Sequence, residues 1–384
     1  MIKKPYEGAD KSLLGIIAAL LIFGVMMVYD ATAVYSQDLF GGAYRFVILQ
    51  IVWVVLGLLG FLFFYKHDYR KISRVAYPLF GASMLLLVIL ALIGFLHCSV
   101  NVAFAPCVNG ANRWLYVNPA PLPKIPLLGV LGFQPSELVK LALILYLAVQ
   151  LSKKQKNAFF VYFVVSALTA FLVLLQPNMS TAVLIFLVGS LMYFSSGAAL
   201  RPLLVVFPLL GAIGGLAMML SPYRRERFFT FLGNDQNGDL SIGYHIKQIL
   251  IALGAGGVFG LGFGQSRQKF QYLPETSADS IFAIIGEELG FVGTTLVILA
   301  FSLLIYKGYK IAKEAPDLLG RLLAVGITSW LGIQFFVNIA AMTKLIPLTG
   351  VPIPLISYGG SSMVFSLAGL GILANINKQT KQNI

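Results

Sequence analysis

"YLPETSADSIFAIIGEELG", residues 272–290, sets four acids beside and inside a stretch otherwise fit for lipid. Glu275 and Asp279 come just before the apolar run, and Glu287 and Glu288 fall within it. A charged side chain in hydrocarbon costs at least about 2.5 kcal/mol, so each needs a partner or a task. The run continues to residue 306, long enough to read as a membrane-spanning helix. Asp279 then stands at the start of a helix at the membrane surface, and the two glutamates lie about two turns deeper.

The rest of the chain agrees. Its 384 residues are 58% hydrophobic and only 11% charged, whereas soluble domains are about 25% charged. Apolar runs at 12–34, 45–65, 75–96, 134–151, 158–175, 180–196, 201–220, 281–306, 319–341 and 352–375 predict about ten transmembrane helices. The expected fold is an all-α polytopic membrane protein, one integral-membrane domain over 1–384. "YDATAVYSQ" after the first run loosely resembles a cleavage region, but that run is long enough to span and counts as the first helix.

The formal net charge is +13. The basic residues sit in short clusters between apolar runs, the pattern of membrane topology and anionic head groups and not of nucleic-acid binding. Lys3, Lys4 and Lys11, then Lys66, Arg70, Lys71 and Arg74, then Lys153, Lys154 and Lys156, Arg201, Lys307, Lys310, Lys313 and Arg321, and finally Lys378 and Lys381 all fall on one face of a ten-helix count. The positive-inside rule makes both termini cytoplasmic. Two large outward segments remain, 97–133 and 221–280, expected to carry partly helical elements at the outer interface.

Several residues carry chemistry. Asp279 reads two ways: as an N-cap, a role Ser277 could share, or as a carboxylate able to take a proton or hold a metal. Glu275 adds a second oxygen ligand or a solvated charge. In "FQPSELVK", 133–140, Ser136 is a plausible cap, and Glu137 and Lys140 share one helix face, as a salt bridge or as a polar pair at a cavity. Gln334 and Asn338, at i, i+4, suit interhelical hydrogen bonds. In "QPNMSTA", 176–182, Pro177 breaks the helix. "LTGVPIPLISYGGSS", 348–362, breaks the chain at membrane depth, where it should line a cavity or be buried in protein. "NDQNGD", 234–239, is out of register for a calcium loop and reads as a turn. "GAGGVFGLGFG", 254–264, has no preceding strand and suits close packing or a flexible interfacial segment. His67, His97 and His245 are scattered, which argues against a histidine-rich zinc site. Cys98 and Cys107 share one outer loop, where an oxidising exterior permits a bridge.

Read in order, "GANRWL", "FQPSELVK", "QPNMSTA", "GYHIKQILIALGAGGVFGLGFGQSRQKFQYLPETSADSIFAIIGEELG" and "TGVPIPLISYGGSS" resemble the SEDS family (shape, elongation, division and sporulation), whose branches are FtsW, RodA and SpoVE. The likeness covers nearly the whole chain, and "GFGQSRQKFQYLPE" is more similar to the FtsW/SpoVE branch. It implies a peptidoglycan glycosyltransferase that polymerises lipid II at the outer face of the bacterial cytoplasmic membrane. The family's essential aspartate, in the pattern LPE-x-x-x-D, falls on Asp279. Its outer-loop Trp falls on Trp114, and its helix-four Glu and Lys fall on Glu137 and Lys140. Arg113, Trp114, Glu137, Lys140, Glu275 and Ser357 form the candidate substrate-binding set. Two positions depart from the family pattern: the usual QPD reads "QPN" at Asn178, and the usual aromatic after the essential aspartate is Ser280.

In the implied reaction a sugar hydroxyl of one lipid-linked disaccharide attacks the anomeric carbon of another and expels a polyprenyl diphosphate. Asp279 supplies the base, or holds a divalent cation, Mg or Mn, that offsets the diphosphate charge. Arg113, Arg224, Arg225, Arg227, Lys247, Arg267 and Lys269 are candidate diphosphate contacts. The expected partners are lipid II, membrane lipids and a class B penicillin-binding protein, with no nucleic acid. Two other classes stay open: a lipid II flippase using the intramembrane charges, and a non-catalytic scaffold for another polymerase.

Overall fold

The computed structural model describes residues 10–95, 102–108, 111–119, 131–153, 157–199, 201–220, 222–232, 240–270, 272–274 and 276–382. Helices come first in chain order: α1 (Lys11–Phe40), α2 (Arg45–Lys66) and α3 (Tyr69–Gly94). A two-stranded antiparallel ribbon follows, β1 (Leu115–Tyr116) paired with β2 (Gly132–Phe133). Then come α4 (Pro135–Ser152), α5 (Ala158–Leu174), α6 (Met179–Ser195), α7 (Arg201–Leu220), α8 (Pro222–Phe231), α9 (Leu240–Ala255), α10 (Ile281–Glu314), α11 (Leu318–Met342) and α12 (Gly360–Gln382). Each of the ten apolar runs contains a helix, and α8 and α9 form within the segment 221–280. Among the described residues seven helices are long and apolar enough to cross a membrane, and α5 and α6 are shorter apolar helices.

Polar side chains set the helix starts. Asp10 accepts from the Ser12 amide at the head of α1, Asp68 from Arg70 at α3, Asn178 from Thr181 at α6 and Asp317 from Gly320 at α11. The Asp68 cap starts α3 six residues earlier than the apolar run suggests. Asn178 caps as well as an aspartate would, which accounts locally for the QPN variant. Two expected caps are corrected. Helix α4 begins with Pro135 at its first position, so Ser136 lies inside the helix. Helix α10 takes Ser280 as its N-cap residue, so Asp279 stands one position outside the helix.

α4 and α11 stand at the centre. α4 packs on α3, α5, α6, α11 and α12, while α11 packs on α10, α4, α6 and α12. They are largely buried, as is α12, which lies against α2. Of the seven long spans, the more apolar ones, α1, α2, α3 and α10, are instead the ones with the smaller buried share. This inverts the soluble rule, because here lipid is the solvent.

Two helices depart from a simple span. α12 begins at Gly360, not at 352, because the proline-rich chain before it runs irregularly. Helix α10 is broken at Gly290, whose backbone (φ 64, ψ −162) is non-helical. The carbonyls freed there accept from the glycine-rich segment: Leu261 N–H donates to Glu287 O at 2.9 Å and Gly262 N–H to Glu288 O at 3.0 Å. Phe291 and Val292 N–H donate back to Gly257 O and Val258 O. A Cβ at Gly256 or Gly260 would run into the α10 backbone, so this approach requires glycine. "GAGGVFGLGFG" is therefore a packing segment that satisfies a broken helix at membrane depth.

Candidate active site

Asp279 lies half-buried where the segment 276–280 runs into α10. Its backbone is pinned: the Asn338 amide donates to the Asp279 carbonyl at 2.8 Å, and Tyr358 N–H donates to Ser277 O at 2.8 Å. Across from it, Gly350 has φ +66, and a Cβ there would stand 3.2 Å from Asp279 Oδ2. The carboxylate thus sits against bare backbone. It faces a cavity of about 600 Å³.

The cavity wall joins distant stretches of sequence. Arg113 and Trp114 come from the 111–119 segment, Asn178 and Ser180 from the cap and first turn of α6, His245 from α9, and Thr349 and Gly350 from the broken chain before α12. Leu184, Leu187, Ile333 and Val337 give an apolar floor. Arg113 is fixed by donating to the carbonyls of Gln176 at 3.0 Å and Pro177 at 2.8 Å. The Trp114 ring lies over Gly132 of β2, where a Cβ would come within 3.3 Å of it. The Gln134 amide that follows β2 donates to Ser361 Oγ at 3.0 Å and ties this ribbon to α12.

Below the cavity lies a buried polar set. Lys140 Nζ donates to Glu137 Oε1 at 2.7 Å and to Gln334 Oε1 at 2.8 Å, all three residues being buried. Trp330 Nε1–H also donates to Gln334 Oε1, and Gln334 Nε2 donates to Pro352 O. Asn338 Nδ2 donates to Val351 O. The two amides of α11 thus carry the carbonyls of the broken chain, and the Glu137–Lys140 pair braces one of them. Glu137 and Lys140 do not line the cavity. Ser357 does not line it either: its hydroxyl accepts from Ile353 N–H at 2.8 Å within the bend, and its carbonyl accepts from Gln50.

The deeper glutamates hold a loop. Glu288 accepts from the Gly264 and Ser266 amides at 3.0 Å each. Glu287 accepts from the Arg267 amide at 3.0 Å and from the Ser266 hydroxyl. Lys269 Nζ bridges Glu288 Oε1 at 3.0 Å and Asp30 Oδ1 of α1 at 2.7 Å. This corrects the diphosphate pool: Lys269 is buried and committed to carboxylates. Arg225, Lys247 and Arg267 are exposed. Glu275 and Cys98 lie outside the described residues.

One wall residue and one buried charge carry no signal in the sequence. His245 is one of three histidines scattered along the sequence, yet it edges the cavity beside Asp279. Asp30 carried no motif, because its partner Lys269 is more than two hundred residues away. Among the described residues no three His, Cys, Asp or Glu side chains come together to hold a metal. The described donors do not by themselves make a metal site.

The family model for "Cell cycle protein", FtsW/RodA/SpoVE, matches residues 11–382. The chain is 38% identical over 382 residues to stage V sporulation protein E of Bacillus subtilis, covering 97% of this chain and 98% of that one. It is 36% identical over 395 residues to a probable peptidoglycan glycosyltransferase FtsW of Trichlorobacter lovleyi, covering 99% and 97%. Among solved structures it is similar to a chain studied for the structural coordination of polymerization and crosslinking by a peptidoglycan synthase complex, with TM-score 0.74, 28% identity and coverage of 97% and 98%. It is also similar to the rod shape determining protein RodA of Thermus thermophilus, with TM-score 0.67, 26% identity and coverage of 97% of each chain. With the family model matched over residues 11–382 and these likenesses spanning nearly its whole length, this multi-pass membrane protein belongs to the FtsW/RodA/SpoVE family.

Proposed function

We propose that this chain is a peptidoglycan glycosyltransferase that polymerises lipid II in the cavity faced by Asp279. The observation that carries the reading is one ionisable carboxylate, pinned through its backbone and facing a cavity that also presents Arg113 and Trp114. The acceptor sugar hydroxyl attacks the anomeric carbon of the donor. The new C–O bond forms as the bond to the diphosphate oxygen breaks, and the diphosphate leaves with the electron pair. The hydroxyl proton passes to Asp279, and Arg113 offers positive charge to the leaving group. The apolar floor suits the first isoprene units. If a divalent cation takes part instead, it would arrive with the diphosphate, and Asp279 would hold it through an oxygen ligand in place of acting as the base.

The cavity lies at the N-terminal end of α10, whereas the Asp10–Lys307 pair and the Asp317 cap of α11 lie towards its C-terminal end. The basic clusters of that other end support a cytoplasmic position for it and an outer position for the cavity. The likeness to a synthase-complex chain supports a crosslinking partner of the class B penicillin-binding type. The buried charges Glu137, Lys140, Glu287 and Glu288 are each bonded to other groups of the protein. That arrangement favours a scaffold for the cavity over a transport pathway.

The test is Asp279→Asn. Because Ser280 holds the cap position, this change removes a charge and leaves the helix start alone. The rate of glycan formation from lipid II, with the partner and Mg²⁺ or Mn²⁺ supplied, is expected to fall at least ~10²-fold, the usual contribution of a positioned base. The thermal melt should stay unchanged. Normal product at a normal melt would refute the role. The same assay with chelator present reads the cation arm.

A further inference from the structure

Helix α12 meets the cavity with its backbone donors bare. It begins at Gly360, and the carbonyl of Gly359 before it accepts the first helical bond, from Met363 N–H at 2.9 Å. The first turn of a helix leaves its N–H groups without an internal partner, and a glycine cap has no side-chain oxygen to give them. Among the described residues the amides of Gly359, Gly360, Ser361 and Ser362 donate to nothing. Gly360, Ser361 and Ser362 are buried. Backbone donors at membrane depth need a partner, and the space beside these is the cavity.

A second observation marks the same spot. Ser362 is only 9% exposed and lines the cavity, yet its hydroxyl makes no hydrogen bond to a described residue. Its neighbour Ser361 is committed, since its hydroxyl oxygen accepts from the Gln134 amide at 3.0 Å. Tyr358 and Gly359 line the cavity too. Tyr358 fixes the head of α12 in place. Its N–H donates to Ser277 O at 2.8 Å, two residues from Asp279, and its ring meets Phe46 of α2 edge-on, centroids 5.5 Å apart. A Cβ at Gly360 would run into the Trp53 ring of α2, so glycine sets how closely this head is seated.

Open amides, the positive end of a helix dipole and an unpaired hydroxyl together make an anion site. We propose that the head of α12, the amides of 359–362 with the Ser362 hydroxyl, is the subsite that binds the diphosphate of the lipid-linked sugar. This rests on the glycosyltransferase reading of the same cavity. The subsite acts beside Arg113. It does not depend on how many basic side chains stand near the cavity, because its donors are backbone groups whose bonds to phosphate oxygens are charge-assisted. The tie from Tyr358 to Ser277 keeps the bound diphosphate in register with Asp279.

The experiment measures binding of farnesyl diphosphate and of farnesol to the full chain in nanodiscs, with thermal melts, for wild type, Gly359→Asp, Ser362→Ala and Ser366→Ala. A Cβ at Gly359 meets only Ser362 Cβ, at 3.7 Å, an ordinary contact. An aspartate there caps the α12 amides with its own oxygen and fills the subsite with negative charge. Gly359→Asp should melt no lower than wild type, yet bind farnesyl diphosphate at least about tenfold more weakly. Its farnesol binding should not change. Ser362→Ala should lose roughly tenfold for the diphosphate alone. Ser366, one turn deeper on α12, is also buried and unpaired but does not line the cavity, so Ser366→Ala should bind both ligands like wild type. Wild type gives a direct reading as well. Tyr-Gly occurs once in the chain, at 358–359, so carbonyl-¹³C tyrosine with ¹⁵N-glycine isolates the Gly359 amide. That signal should shift on adding farnesyl diphosphate and stay in place on adding farnesol. If Gly359→Asp melts early, this signal decides. Wild-type affinity for the diphosphate in a normally melting Gly359→Asp, or a Gly359 signal that ignores the diphosphate or answers farnesol equally, overturns the proposal. Polymerisation by wild type with a Gly359 amide blind to diphosphate sinks this inference and leaves the glycosyltransferase reading standing. A Gly359 amide that responds to diphosphate in a protein that makes no glycan does the reverse.

Discussion

Single residues differ most in whether their charge is spent on the substrate or on the fold. The Glu137–Lys140 pair is spent on the fold, because Lys140 braces Gln334, and Gln334 holds the Pro352 carbonyl. Lys140→Met should therefore strand a buried glutamate and cost about 3–5 kcal/mol. Lys140→Met with Glu137→Gln should recover much of that, because no unpaired charge remains. Thermal melts of the three proteins check this, and a double variant no more stable than the single would contradict it. Gly350→Ala tests the other side: a methyl 3.2 Å from Asp279 Oδ2, at a left-handed φ, should cut glycan formation more than it lowers the melt. At this scale the sequence was readable where a residue type is costly in lipid. Asp279, Glu137, Lys140, Glu287 and Glu288 announced themselves by their charge. His245 and Asp30 did not, because what makes them informative is a partner that only the fold brings near.

Elements carry the same lesson through glycine. The α10 break at Gly290 is sustained by the chain from Gly256 to Gly262, whose amides take the carbonyls the break sets free. Gly260→Ala would press a methyl into the Glu288 backbone at a φ of +83. A loss of about 2–4 kcal/mol is expected, with polymerisation falling alongside, since the crossing precedes the segment that carries Asp279. An unchanged melt would show that the crossing is looser than described. A second element, the loop holding Cys98 and Cys107, should be bridged in protein exported to an oxidising exterior. The bridge should stabilise that loop by about 2–3 kcal/mol. Thiol labelling of both cysteines in unreduced protein would contradict it. Helix positions were legible because a span needs a long apolar run. Boundaries were less so: Asp68 starts α3 early, and the irregular chain 343–359 delays α12, since caps and prolines act on backbone groups that hydropathy does not weigh.

For the whole molecule, the two ends differ in construction. One holds the cavity. The other is stitched by polar bonds: Asp10 to Lys307 at 2.8 Å, Asp317 to Arg70 at 2.9 Å and to the Tyr69 hydroxyl, and Asn375 to the Tyr65 carbonyl. The Lys307 hydrogen bond, with help from Ser12, holds the Asp10 carboxyl well below its ordinary range. Burial pushes Asp317 up, but the Gly320 amide, Arg70 and Tyr69 outweigh it and the net shift is downward. Both groups therefore lend stability that is present above the unfolded value, about 3.9, and is lost as pH falls through the lowered folded values. The melt should hold from pH 7 to pH 5 and drop below about pH 4. Asp10→Asn with Asp317→Asn should lower the neutral melt slightly and flatten that acid limb, and an unchanged limb would rule these two groups out. The bundle as a whole was legible from hydropathy. Its interior order was not, because which helix sits inside depends on contacts among spans. That order has a consequence for biosynthesis. The central helices α4, α11 and α12 are the least apolar of the crossing helices, since protein and not lipid covers them. Emerging alone from the ribosome, α4 should partition into a bilayer poorly, while α2 should insert unaided. A glycosylation-site assay on each segment in isolation should show this contrast, and α4 should insert well only when α1–α3 precede it. The helices that brace the active site would then enter the membrane last in effect, if not in order, waiting on neighbours already there.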